Sequence, residues 1–263
     1  MKLWIRKGGI WGLCILLILT GELGFLHKAQ AGPALPPKYI AFAYDNFEAA
    51  NALVNKGFLA LNKDAKYVKV GNKDILRLTP NVNDKLGTAF PNQRRISLTD
   101  DRSFSTHFAF RMSAGSQTPA DGIVFTVQTK SSAAGSVGGG IGYNGLQPSI
   151  GIEFDTYKNN VGSESYNDPG LVYKDGSKND TGNFSNHVAL VTNGVMNHGN
   201  PAKNLYNVPV GASVTNNSDG MRFTDGSMYY SWIDYDGKTK HLQVYLAKGI
   251  QEGVVPAVPD KRY

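Results

Sequence analysis

Apolar and polar side chains alternate in short runs along most of the chain. Examples are Ser103-Phe104-Ser105-Thr106-His107-Phe108-Ala109-Phe110, Gly122-Ile123-Val124-Phe125-Thr126-Val127 and His241-Leu242-Gln243-Val244-Tyr245-Leu246. A period of two sends successive side chains to opposite faces, so these runs predict half-buried strands, each bounded by Gly, Asn, Asp or Pro. Only Phe47 to Leu61 could pass for a helix, and Gly57 with a β-prone end weakens that reading. Many short strands with turn signals between them, no βαβ alternation, no repeat period and no interior linker predict one all-β domain. Its architecture would be a sandwich or a jelly roll, from about Tyr39 onward.

The N-terminus departs from this rhythm. Lys2, Arg6 and Lys7 precede an apolar run from Ile10 to Leu19, and Ala29-Gln30-Ala31 follows. This is the pattern of a secretory signal peptide over residues 1–31, cleaved after Ala31. The run is about half the roughly 20 apolar residues that a membrane-spanning helix needs. Residues 32–38, with Pro33 to Pro37, read as a short stiff leader, and residues 39–263 as the domain. The expected localisation is secreted, extracellular or at the cell surface, with no membrane span after cleavage.

Composition narrows the classes. With 263 residues and 41% hydrophobic positions the chain can bury a sizeable core, which excludes a mainly disordered protein. The single Cys14 excludes an intrachain disulfide and a multi-cysteine zinc site. The formal charge of +6 falls to 6 − 3 = +3 once the first 31 residues, four basic and one acidic, are set aside. The remaining lysines are scattered, so a nucleic-acid partner is not expected.

Two segments interrupt the strands: the glycine-dense Ala133 to Gly145, and the polar Asn159 to Asn186. Glycine lets a backbone approach a ligand closely, although composition alone favours surface loops. The strongest chemistry lies in Ile152-Glu153-Phe154-Asp155-Thr156-Tyr157-Lys158-Asn159, then Asn167-Asp168-Pro169 and Asn186-His187-Val188. Residues two apart in a strand share a face about 6.6 Å apart, so Glu153 and Asp155 point to one side. Tyr157 can offer its carbonyl oxygen, Asn159 its amide oxygen, and Asp168 and His187 can close the site. One imidazole with carboxylates suits a transition ion, and the all-oxygen set beside it suits calcium. Shared carboxylates at Asp155 and Asp168 would hold the two ions about 4 Å apart. Taken alone, the two acids read as ordinary exposed strand carboxylates, and His187 as a core or surface histidine. His107, His198 and His241 have no ligand-like spacing and are expected at surface or strand positions. Trp232, Tyr229, Tyr230 and Tyr235 read as sheet packing rather than a sugar platform.

The motifs taken together resemble the L-type, legume-lectin-like carbohydrate-binding family, in a bacterial secreted member. Ile75-Leu76-Arg77-Leu78-Thr79-Pro80 with Gly87-Thr88-Ala89-Phe90 is similar to its N-terminal strands, and Ser103 to Phe108 to its SFSTxF strand. Ala120-Asp121-Gly122-Ile123-Val124-Phe125 resembles the ADG-apolar motif, Gly138-Gly139-Gly140-Ile141-Gly142 the GGxLG loop, and Glu153 to Asn159 the metal strand. Trp232-Ile233-Asp234-Tyr235-Asp236 with Leu242-Gln243-Val244 resembles the late hairpin, so the motifs run in family order over roughly Ala41 to Leu246.

The resemblance implies an all-β, concanavalin-like jelly-roll β-sandwich of two antiparallel sheets that binds glycans without catalysis. Glu153, Asp155, Asp168 and His187 would hold a manganese-like ion (Mn2+). Asp155, the Tyr157 carbonyl, Asn159 and Asp168 would hold Ca2+. It also implies a cis bond at Ala120-Asp121. In the sugar site, Asp121 would accept from two adjacent hydroxyls, the Asn159 amide and the Gly139 N–H would donate, and Tyr157 would cover the apolar face of a pyranose. Three or four contacts of roughly 1 kcal/mol each predict a monosaccharide Kd near millimolar.

The chain also departs from the family pattern. Asp168 lies nine residues after Asn159 and His187 nineteen after Asp168, and the insertion offers Asp175 and Asp180 as substitutes. Nothing from Ala247 to Tyr263 resembles the family's closing strands, so the chain reads as a fragment, incomplete at its C-terminus. Unpaired sheet edges would then favour association into homo-oligomers. Two other classes compete. A glycoside hydrolase on the same sandwich needs two carboxylates about 5 Å apart, and Tyr157 or Lys158 stands where the second glutamate belongs. An adhesive module would carry purely structural metals and a dead sugar pocket.

Overall fold

The computed structural model describes residues 43, 44, 47, 58–113, 120–129, 134–159, 166–168, 186–198, 206–209, 221–251 and 253–259. The expected signal peptide 1–31 and leader 32–38, and the substitute ligands Asp175 and Asp180, lie outside these residues. Among the described residues the regular elements are strands, with one 3-10 turn at Gly138–Gly140. In chain order they are β1 (Leu59–Lys63), β2 (Lys66–Val70), β3 (Lys73–Arg77), β4 (Gly87–Pro91), β5 (Phe104–Phe110), β6 (Gly122–Gln128) and β7 (Ser149–Asp155). They continue with β8 (Tyr166–Asn167), β9 (His187–Thr192), β10 (Met196–Asn197), β11 (Tyr206–Pro209), β12 (Tyr229–Asp236) and β13 (His241–Lys248). β1 occupies the end of the stretch that could have passed for a helix. No helix among the described residues is long and apolar enough to cross a membrane.

Two antiparallel sheets dominate, in the strand orders β11-β9-β7-β6 and β13-β12-β5. They face one another across a core in which Ile152 and Phe154 of β7 and Val188 of β9 meet Phe110 of β5, Ile233 of β12 and Val244 of β13. The core is rich in aromatic contacts, including Phe110 on Phe154 with ring centroids 5.1 Å apart and Phe223 edge-on to Tyr229 at 5.3 Å. Each such side chain contributes about 1.5–3 kcal/mol by leaving water. On the outer face of the second sheet, Trp232 stacks on His107 at 4.9 Å, so these aromatics pack along the sheet as their period suggested.

The sandwich carries three further pairings: antiparallel β1 with β4, antiparallel β2 with β3, and parallel β8 with β10. The parallel pair was not anticipated. It arises because β9 ends in a tight turn at Asn193 and Gly194, both with positive φ, after which β10 runs beside the distant Tyr166-Asn167 segment. A second apolar cluster, Tyr143, Leu146, Val191 and Met196 with Val124 and Tyr166 packed against it, covers the other face of the first sheet. At Gly151 an added Cβ would lie 2.8–2.9 Å from Val124, Tyr143 and Val191, so glycine is what allows the 134–146 segment to settle there.

Candidate functional site

Strand alternation decides where the acids go. In β7, Ile152 and Phe154 fill the core between the sheets, so Gly151, Glu153 and Asp155 face the opposite way, under the second cluster. The ladder then brings partners to Asp155 from both sides: Gly122 of β6 is its register partner on one edge, and His187, the first residue of β9, on the other. Asp168 follows β8 directly, and a reciprocal pair ties it to Asn159, just beyond β7. The Asn159 N–H donates to Asp168 Oδ2 at 2.7 Å, and the Asp168 N–H donates to the Asn159 carbonyl at 3.2 Å. The expected ligands Glu153, Asp155, Asp168 and His187 are thus together, each at 3% exposure or less. That burial removes the reading of Glu153 and Asp155 as exposed strand carboxylates.

His187 Nε2 lies 3.7 Å from Asp168 Oδ1 and 4.0 Å from Asp155 Oδ2. Glu153, Asp155 and Asp168 are three buried carboxylates in one small volume, which disfavours their joint ionisation. Burial, then the charges of Glu153 and Asp168, push the Asp155 carboxyl well above the usual carboxylate range. Burial also pushes Asp168 up, against the opposing pull of His187. Glu153 goes the other way: burial raises it, but a hydrogen bond and charge from His198, together with His187, bring it below its ordinary value.

The partner of Glu153 is the residue that sequence reasoning missed. His198 is buried at 3% exposure, with Nε2 2.9 Å from Glu153 Oε2 and 3.6 Å from Asp168 Oδ1. The β8–β10 register sets Asn197 beside Asn167, and the His198 N–H donates to the Asn167 carbonyl at 2.7 Å, which brings His198 to the level of Asp168. The signal in the sequence that could have marked a chain reversal there is the Asn193-Gly194 dipeptide. Two groups in this cluster could each hold an ion, Glu153 with His187 and His198, and Asp155 with Asp168 and His187. In each, the ligand atoms all lie within 4.8 Å of one another. The donor set fits divalent cations, because three buried carboxylates need positive charge nearby.

The expected sugar-site residues border this cluster. The Ala120–Asp121 peptide bond is cis. The Asp121 carbonyl accepts from both the backbone N–H and the hydroxyl of Thr156, each at 2.7 Å, which ties Asp121 to the residue between Asp155 and Tyr157. Burial raises the Asp121 carboxyl. Gly139 stands against Asn159 and Tyr166: an added Cβ would lie 3.0 Å from Asn159 Nδ2 and 3.0 Å from Tyr166 Cγ. Tyr157, half-buried, donates its N–H to Asp155 Oδ1. Segment 155–159 thus touches Asp121 through Thr156 and Gly139 through Asn159.

The family model described as the legume lectin beta-barrel domain matches residues 49–261. The chain belongs to this family. The motif order that suggested an L-type domain is accounted for over most of the chain, as is the sandwich it implied. Among curated proteins, the galactose-binding lectin of Arachis hypogaea is 32% identical over 139 residues, which is 49% of this chain and 48% of that protein. The matched stretch therefore spans about half the length of that relative. Among solved structures, the Bauhinia forficata lectin in complex with GalNAc is 19% identical with a TM-score of 0.51, covering 80% of this chain and 78% of that one. Peanut lectin with a nine-residue peptide is 26% identical with a TM-score of 0.49, covering 79% and 75%. The Bauhinia likeness supports the legume-lectin sandwich as a fold. None of these relatives bears on the bacterial source expected from the sequence.

Proposed function

We propose that this chain is a secreted, non-catalytic carbohydrate-binding domain whose sugar cradle depends on divalent ions held by Glu153, Asp155, Asp168, His187, Tyr157 and Asn159. The observation that carries it is the connection of Asp121 and Gly139, through Thr156 and Asn159, to one buried cluster of three acids and histidine. Secretion rests on the N-terminal pattern alone. Bound Ca2+ and a transition ion such as Mn2+ would neutralise the buried carboxylates and stiffen residues 155–159. Asp121 accepts from adjacent sugar hydroxyls, the Asn159 amide and the Gly139 N–H donate, and Tyr157 offers an aromatic face for the C–H side of the ring.

The burial of Glu153 and Asp155 supports the non-catalytic reading over a glycoside hydrolase. At 1% and 2% exposure they are closed to a glycosidic oxygen, which a general acid has to touch. The test is a glycan array probed with the purified protein before and after EDTA, with galactosides included because the Arachis relative is named for galactose. The expected result is binding lost with chelator and restored by calcium plus manganese. A folded, metal-replete protein with no glycan signal would establish the adhesive module instead.

Gly139 offers a finer probe. In Gly139→Ala the new methyl group crowds Asn159 Nδ2 and the Tyr166 ring, so the Asn159 amide must shift. Losing one well-placed hydrogen bond costs about 1 kcal/mol, so sugar affinity should weaken roughly 5- to 10-fold. Titration calorimetry at saturating metal checks this.

A further inference from the structure

The sequence motif supplies one histidine to the transition-ion pocket, and the fold delivers two. Glu153, His187 and His198 each present a ligand atom within 4.8 Å of the other two, and all three are buried. The two imidazole rings stand nearly perpendicular, at 89°, with centroids 5.8 Å apart, so both nitrogens can address one point without stacking. Ligand atoms sharing one ion at about 2.1 Å lie roughly 3 to 3.5 Å from each other. The 2.9 Å separation of His198 from Glu153 and the 3.6 Å separation of His198 from Asp168 are already on that scale.

We propose that His198 is a direct ligand of the transition ion, making this a two-histidine pocket that takes zinc. The inference rests on the metal-dependent reading above and adds the identity of the ion and of one ligand. Imidazole nitrogen suits zinc, whereas manganese is served best by oxygen donors, so adding a second imidazole widens the preference for zinc. His198 also has the backbone support a ligand needs, through its N–H bond to the Asn167 carbonyl and its place beside Asp168. The competing role is that of a positioning residue, in which His198 Nε2 donates a proton to Glu153 and never meets the ion.

The number of imidazoles on the ion separates these roles. Metal-free full-length protein is loaded with zinc in the presence of calcium and studied by zinc-edge X-ray absorption, alongside His198→Ala and His198→Gln. The expected result is two imidazoles on zinc in wild type and one in either variant. Zinc affinity should fall at least about tenfold in both variants, while calcium affinity stays within twofold. A single imidazole in wild type overturns the proposal, and this measurement stands even if a variant fails to fold. Full zinc affinity in His198→Gln, where the amide can still donate to Glu153, also overturns it. A wild type that binds calcium, manganese and glycans with one imidazole defeats this inference alone. A wild type that takes no ion defeats it together with the reading it rests on.

Discussion

Asp155→Ala should abolish the thermal response to metal and, with it, glycan binding. In the proposed cage Asp155 serves both ions, and no other described carboxylate lies directly across from His187 in the ladder. At a metal concentration a hundred times Kd, each bound ion adds about 2.7 kcal/mol to wild-type stability. For a domain of this size that is roughly 5–10 °C in Tm per ion. The variant should gain almost none of it. In EDTA the order should narrow or reverse. Asp155 has a carboxyl pKa raised in the folded state, so its ionised form opposes folding at any pH above the ordinary aspartate value of about 3.9. Removing it relieves Glu153 and Asp168 of a like charge, at the cost of the hydrogen bond from the Tyr157 N–H. Differential scanning calorimetry at pH 7, with and without calcium plus manganese, checks both arms. A variant that gained as many degrees from metal as wild type would sink the cage.

Asp121→Ala should leave metal content and Tm near wild type and abolish detectable sugar binding. The structural work of this residue is done by its backbone: the carbonyl accepts twice from Thr156, and those bonds survive the substitution. The carboxylate is the part assigned to sugar. Hydrogen bonds to a charged acceptor contribute about 1.5–3 kcal/mol each, so losing two moves a millimolar Kd by a factor of about 100 or more, out of reach of titration. Glycan array and calorimetry read the loss, and elemental analysis reads the retained ions. Unchanged glycan binding in this variant would place the sugar elsewhere on the molecule.

The pattern along the chain determined a good deal before any coordinates. Alternation in Phe104–Phe110, Gly122–Gln128 and His241–Lys248 marked strands that lie where the period put them, because a half-buried strand writes its two faces into consecutive residues. The same logic placed Glu153 and Asp155 on one face. It did not say which face, or that a second apolar cluster would bury them to 1% and 2% exposure. That outcome depends on Tyr143 resting on Gly151, a contact that neither residue advertises alone.

Asp168 and His187, doubtful ligands by spacing, belong to the cluster because Asn159 pairs with Asp168 and the ladder sets His187 opposite Asp155. His198 marks the limit of sequence reasoning. Its position follows from two-residue strands, Tyr166–Asn167 and Met196–Asn197, too short to carry a period and separated by a long polar insertion. What the sequence by itself determined was the class of fold, the family and the shared face of Glu153 and Asp155, since periodicity and contiguous motifs are local properties of a chain. Only the tertiary structure decided the burial of those acids and the arrival of a second imidazole, because both depend on a parallel pairing and a packed loop between residues far apart in sequence.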